Sequence, residues 1–250
     1  MARFLLIHGA WHGAWCWHKM MPALAALGHE AVAIDLPGHG VDKVATAEVN
    51  LARYVERVGA ALSEGNDPWV MVGHSMGGAV ITAAAEQFPG RVAGLVYLTA
   101  IALASGESMA SNPVKASPSE FLSGLIMSPD RSSTRFRPEV LKQIFYADCD
   151  AADITLASLC LVPQSTAVMR DPVCYSAERW GRIPRAYVVC TADRALTPEG
   201  QREMAARMGF DRMVELDTSH SPFFSAPDRL AKVLTDLSSA FRSGGVTNEG

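Results

Sequence analysis

Apolar residues along the chain fall into two alternating patterns. Short unbroken runs occur at Phe4 to Ile7, Ala31 to Ile34, Val70 to Val72, Val92 to Leu98, Ala186 to Cys190 and Met213 to Leu216. They have strand length and no polar alternation, the pattern of strands covered on both faces. Between them lie stripes at helical spacing. Trp17, Met20 or Met21, Leu24 and Leu27 form the first, with Gly28 as its stop and Pro22 demanding a late start or a kink. Leu51, Tyr54 or Val55, Val58 and Leu62 form the second, behind Asn50 as N-cap. A small-residue helix (Ala79, Val80, Ala83, Ala84) runs to about Phe88. Near the end, Pro198 to Met208 follows Thr197 as N-cap, and Pro227 opens a helix to Phe241 with Leu230, Val233, Leu234 and Leu237 on its stripe. The polar tail, Ser243 to Gly250, is expected to fray. Repeated strand–helix alternation predicts an α/β fold: a mostly parallel sheet of about six strands with helices on both faces.

The alternation lapses in the middle. Seven of the 14 prolines fall between Pro113 and Pro184, so this stretch is expected to be irregular or built of short helices. Two stripes stand out there: Val140, Leu141, Ile144, Phe145, and Ile154, Ala157, Leu161. The expected organisation is a core of residues 1–102 and 181–250 with a helical insertion, 103–180, covering the strand ends.

Composition narrows the function classes. With 250 residues, 49% hydrophobic and 19% charged, the chain can bury a sizeable core in one large domain. A net charge of -4 and the absence of lysine or arginine runs argue against nucleic acid and against an anionic membrane surface. No apolar run approaches the roughly 18 residues of a membrane span. No charged region and long apolar stretch precede the first strand, so no signal peptide is expected. The five cysteines are widely spaced without a CxxC pair, which fits buried reduced thiols and a cytoplasmic protein. His8 and His12 lie in a strand-to-loop segment, not on one helix face, and Asp148-Cys149-Asp150 fits a solvated helix start, so no metal site is expected. No cofactor is implied. The oligomeric state is left open, a homodimer included.

The candidate chemistry sits at the carboxyl ends of the expected strands, where ligands bind in such sheets. The run Val70 to Val72 ends in Gly73-His74-Ser75-Met76-Gly77, and a helix follows at once. A Gly-x-Ser-x-Gly between strand and helix exposes the serine oxygen on a strained elbow, and the flanking glycines leave it room. A serine hydroxyl needs a base. Of seven histidines, His220 lies in the loop after the last strand and opens on the same face as Ser75. Asp193, after the run Ala186 to Cys190, is the expected orienting acid. Glu199 is explained by a helix start, and Asp217 by shaping the loop beside His220. The order Ser75, Asp193, His220 is that of the elbow-containing hydrolases. The Met76 and Ala10 amides are the expected oxyanion donors, with Gly9 giving the backbone room to turn. Gly9, Trp11 and His74 are candidates for the substrate pocket.

These residues carry a resemblance to the α/β-hydrolase fold. More narrowly, His8-Gly9-Ala10-Trp11-His12-Gly13-Ala14-Trp15, Gly28-His29, Gly73 to Gly78, Val189 to Asp193 and Ser219-His220 resemble the plant methylesterase and hydroxynitrile lyase family. Phe145 to Cys149 and Leu161 to Gln164 are similar to its bacterial members. The resemblance implies a nucleophile at Ser75, an acid at Asp193, a base at His220 and a helical cap over the site. The lyases carry a threonine where this chain has Gly9 and a lysine where it has Ser221. Both departures point to an esterase acting on small, fairly apolar esters through an acyl-enzyme. The alternatives are a lyase or other cofactor-free reaction on the same triad, and a non-catalytic small-ligand receptor.

Overall fold

The structure, a computed structural model, describes residues 1–210 and 212–243. The expectation for the tail beyond Ser243 lies outside them. The strands are β1 (Arg3–Ile7), β2 (Glu30–Ile34), β3 (Trp69–His74), β4 (Val92–Leu98), β5 (Leu125–Met127), β6 (Ser133–Phe136), β7 (Gln164–Ser165), β8 (Arg185–Cys190) and β9 (Arg212–Leu216). The helices are α1 (Met20–Ala26), α2 (Leu51–Leu62), α3 (Gly77–Gln87), α4 (Ser119–Gly124), α5 (Pro138–Phe145), α6 (Ala151–Cys160), α7 (Thr166–Arg170), α8 (Pro198–Met208), α9 (Pro222–Ser225) and α10 (Pro227–Ser243).

Six strands form one sheet in the order β2-β1-β3-β4-β8-β9, every pairing parallel. Its middle strands are buried along nearly their whole length, as unbroken apolar runs require. Against it, α1 packs with α10, and α2 with α3. The local signals act as expected. Asn50 and Thr197 cap α2 and α8 through their side chains. The helix α1 starts late, with Pro22 in its first turn and a separate 3-10 turn, Ala14–Trp17, ahead of it. Gly28, at φ +77°, ends α1, with Gly28 N–H on Ala25 O and His29 N–H on Leu24 O.

The stretch between β4 and β8 departs from the sequence expectation. Its helices α5 and α6 coincide with the two apolar stripes, but it also holds a small antiparallel sheet, β5-β6-β7. These strands are two to four residues long. Strands that short show no alternation, and their pairing is set by contacts distant in sequence.

Candidate active site

The strand order reverses beside β1. From β1 the chain goes outward to β2, then crosses back to β3 on the other side of β1. Ile7 pairs with Gly73, so the loop after β1 and the turn after β3 emerge side by side at the crevice. The turn is tight. Ser75 sits at φ +52°, a left-handed backbone that a non-glycine residue holds only under constraint. A Cβ at Gly73 would lie 2.6 Å from Gly77 O, and one at Gly77 would lie 2.8 Å from Ile7 O. Gly78 is equally confined, since a Cβ there would lie 2.4 Å from Ile101 O. Ser75 O accepts from Ile101 N–H at 2.9 Å, tying the elbow to the segment after β4.

His220 Nδ1 lies 2.7 Å from Asp193 Oδ2, with both side chains buried. A carboxylate accepts, so Nδ1 carries the proton and Nε2 keeps its lone pair. Asp193 is held from several elements. Its Oδ1 accepts from the Ala195 and Leu196 amides at 2.7 and 3.0 Å. Its Oδ2 accepts from Thr99 Oγ1 and, at 3.3 Å, from Gln201 Nε2. Sequence reasoning missed Thr99 and Gln201, although a signal existed for each. Thr99 directly follows β4, and Gln201 is a polar residue on the buried α8 stripe with Met204, Ala205 and Met208. Glu199 sits in the first turn of α8. Asp217 is exposed and accepts from Thr191 Oγ1 at 3.2 Å.

Ser75, Ala10 and Met76 line one cavity of about 200 Å³. The Ala10 and Met76 amides are buried, and among the described residues neither has an acceptor. Most of the remaining wall is apolar, from Trp11, Ile101, Met109, Phe121, Leu125 and Met169, and it contains no charged side chain. Trp11 is thus in the wall, at φ +65°, with its indole N–H donating to Thr134 O at 3.1 Å. Gly9 and His74 are not in the wall. Gly9 is packed behind it, where a Cβ would lie 2.8 Å from His74 Nδ1 and 3.0 Å from Ser75 Cβ. The His74 side chain turns away from the elbow tip, and its Nε2 lies 2.9 Å from His220 O. Neighbouring side chains in so sharp a turn diverge, which takes His74 out of the pocket and under the His220 loop.

Four other histidines in this region are buried. Burial holds His12 and His39 down to about 4, and His8 and His74 well below the ordinary histidine range. Their ring protons follow from their partners. His8 Nδ1–H donates to Gly9 O while Nε2 accepts from Leu36 N–H. His39 Nδ1–H donates to His12 O while Nε2 accepts from Tyr54 O–H. These lone pairs are committed to hydrogen bonds, and among the described residues no group of three His, Cys, Asp or Glu side chains is placed to hold a metal ion. Among them, too, no helix is long and apolar enough to cross a membrane.

A parallel six-stranded sheet with a strained serine elbow at its switch point defines a class of protein. Residues 4–233 match the model of the alpha/beta hydrolase family, and the chain belongs to that family. Within it, the chain is 31% identical to Methylesterase 1 of Arabidopsis thaliana, over 95% of this chain and 96% of that one. It is 28% identical to Norfluorocurarine synthase 1 of Strychnos nux-vomica, over 94% of each. Among solved structures, a pyrethroid hydrolase from Sphingobium faniae JZ-2 superposes with a TM-score of 0.84 at 28% identity, covering 96% of this chain and 98% of that one. The protein is an esterase-type hydrolase of methylesterase-like sequence.

Proposed function

We propose that the protein is a serine carboxylesterase that cleaves small, neutral, fairly apolar esters, with the stretch 103–180 as a cap over the site. Ser75 is the nucleophile, His220 the general base and then acid, and Asp193 the group that orients it. The observation that carries this reading is the His220 Nδ1–Asp193 Oδ2 contact of 2.7 Å, which leaves Nε2 as the proton acceptor. As Ser75 Oγ bonds to the ester carbonyl carbon, its proton passes to His220 Nε2. The carbonyl oxygen becomes an anion that accepts hydrogen bonds from the Ala10 and Met76 amides. Collapse breaks the bond to the alcohol, which leaves with the proton from His220. Water then repeats the sequence on the acyl-enzyme, releasing the acid and restoring Ser75.

The wall of the cavity supports the substrate class. Its apolar lining accepts an uncharged acyl group, and an ionised acid product would find no countercharge there. The packing at Gly9 weighs against cyanohydrin cleavage, since a threonine there would collide with His74 and Ser75. Ser221, buried after His220, brings no positive charge for a leaving cyanide.

The test is a p-nitrophenyl ester panel of graded acyl size with mandelonitrile beside it. The expected result is a burst of p-nitrophenol equal to the enzyme concentration. Ser75→Ala should lower kcat by about 10⁴-fold or more. Undiminished ester turnover by Ser75→Ala would end the proposal, and faster turnover of mandelonitrile than of any ester would move it to the lyases.

A further inference from the structure

The stretch between β4 and β8 does more than roof the cavity. At the end of α5, three residues within a run of four reach both loops that the proposed mechanism depends on. Tyr146 is fully buried, and its Oη lies 2.7 Å from His12 Nε2. His12 Nδ1 lies 2.8 Å from Ala10 O. A carbonyl can only accept, so His12 Nδ1 carries the proton and Nε2 accepts from the Tyr146 hydroxyl. Burial raises the phenol well above its usual range, keeping it a donor. Two residues on, Asp148 Oδ2 accepts from Ser219 N–H at 2.8 Å, and Oδ1 accepts from Ser219 Oγ. Ser219 directly precedes His220. Phe145 completes the contact, its ring centroid 5.5 Å from that of His220.

We propose that Phe145 to Asp148 is a clamp that positions two catalytic groups at once. Tyr146, acting through His12, holds the Ala10 carbonyl and so restrains the residue whose N–H is the proposed oxyanion donor. Asp148, acting through Ser219, holds the loop that carries His220. The clamp rests on the roles proposed above for Ala10 and His220, and it adds that the active site is complete only while this segment is docked. Neither residue lines the Ser75 cavity, so each is a positioning residue whose loss acts on turnover. The two arms meet the core at points far apart in sequence, 134 residues for Tyr146 to His12 and 71 for Asp148 to Ser219.

Lys19 provides the control. Its Nζ makes an ion pair with the buried Asp153 of α6 at 2.7 Å, tying the same stretch to the core without touching either loop. Tyr146→Phe, Asp148→Ala, Asp148→Asn and Lys19→Ala are compared on one p-nitrophenyl ester with rates expressed per site titrated by a phosphonate, and Ser75→Ala, which lacks the titrated oxygen, with its rate expressed per protein chain. Tyr146→Phe and Asp148→Ala should each lower kcat by about ten- to a hundredfold while KM stays within about twofold, the loss typical of a slightly misplaced group. Tyr146→Phe should also weaken a trifluoromethyl ketone, which mimics the tetrahedral intermediate, by the same factor. Asp148→Asn keeps an oxygen acceptor and should recover most of the Asp148→Ala loss. Lys19→Ala should lower the unfolding temperature and leave kcat per site unchanged. The clamp is overturned if Tyr146→Phe and Asp148→Ala turn over at the wild-type rate, if their loss lies in KM, or if Lys19→Ala loses as much kcat as they do. Should Tyr146→Phe not be recovered folded, the two Asp148 variants decide alone. An active Ser75→Ala would instead remove the reading beneath the clamp.

Discussion

Asp193 is the most heavily partnered side chain near the proposed nucleophile, with donors from β4's end, its own loop, α8 and His220 converging on two oxygens. Such a carboxylate cannot rotate without breaking several bonds, which fixes the imidazole it holds. Asp193→Asn removes an acceptor that His220 Nδ1–H needs and favours the wrong ring tautomer. The expected loss in kcat is roughly 10⁴-fold with the fold intact, read from kinetics beside circular dichroism. Trp11 acts differently. It lines the 200 Å³ cavity and also a second one of about 150 Å³ beside Phe136, Leu141, Leu161 and Val162, so its indole is the partition between them. Trp11→Ala should join the two. We expect the acyl chain of highest kcat/KM to lengthen by several carbons, measured across p-nitrophenyl acetate to decanoate, with stability lowered by about 3 kcal/mol for the lost aromatic. An unshifted profile would show that the partition does not limit the substrate.

Among the elements, α8 shows how one helix serves stability and site together. Thr197 caps it by accepting from Gly200 N–H at 3.2 Å, and Thr197 N–H donates to Ala116 O at 2.7 Å. Gly200 lets Ala116 approach, since a Cβ there would lie 2.6 Å from the Ala116 Cα. The same first turn presents Gln201 to Asp193 and to both backbone groups of Cys190. Thr197→Ala should destabilise the protein by about 1 kcal/mol in urea titration, the usual cost of a lost N-cap. These features were legible to different degrees. Thr197, Asn50 and Gly28 act through neighbours within five residues, so their effect can be read along the chain. The sheet β5-β6-β7 could not be, because Thr134 pairs with Met127 on one side and Gln164 on the other, and such pairing leaves no local signature.

At the scale of the whole molecule, the crevice beside β1 collects buried neutral histidines. His8, His12, His39 and His74 all have folded-state values below the ordinary 6.5, through burial first of all. Below that value the unfolded chain binds protons that the folded chain refuses, so the stabilisation present at neutral pH is lost as pH falls toward 4. Each such proton steepens the loss by about 1.4 kcal/mol per pH unit. Thermal unfolding should therefore be nearly constant from pH 8 to 7 and drop steeply between pH 6 and 4.5; an unchanged midpoint at pH 4.5 would refute it. The sequence by itself determined the alternation of strand and helix, the elbow at Ser75 and the loops at the strand ends. Apolar runs, caps and a Gly-x-Ser-x-Gly turn are properties of a few adjacent residues, written in local sterics and solvation. Beyond the His220–Asp193 pair, which the strand-end loops already pointed to, only the tertiary structure decided which polar groups meet. His74 lies 146 residues from His220 along the chain, and Tyr146 lies 134 from His12, yet each pair is in hydrogen-bond contact. Hydrogen bonds of that kind depend on how strand order and packing bring distant loops to one crevice, and no local pattern encodes it.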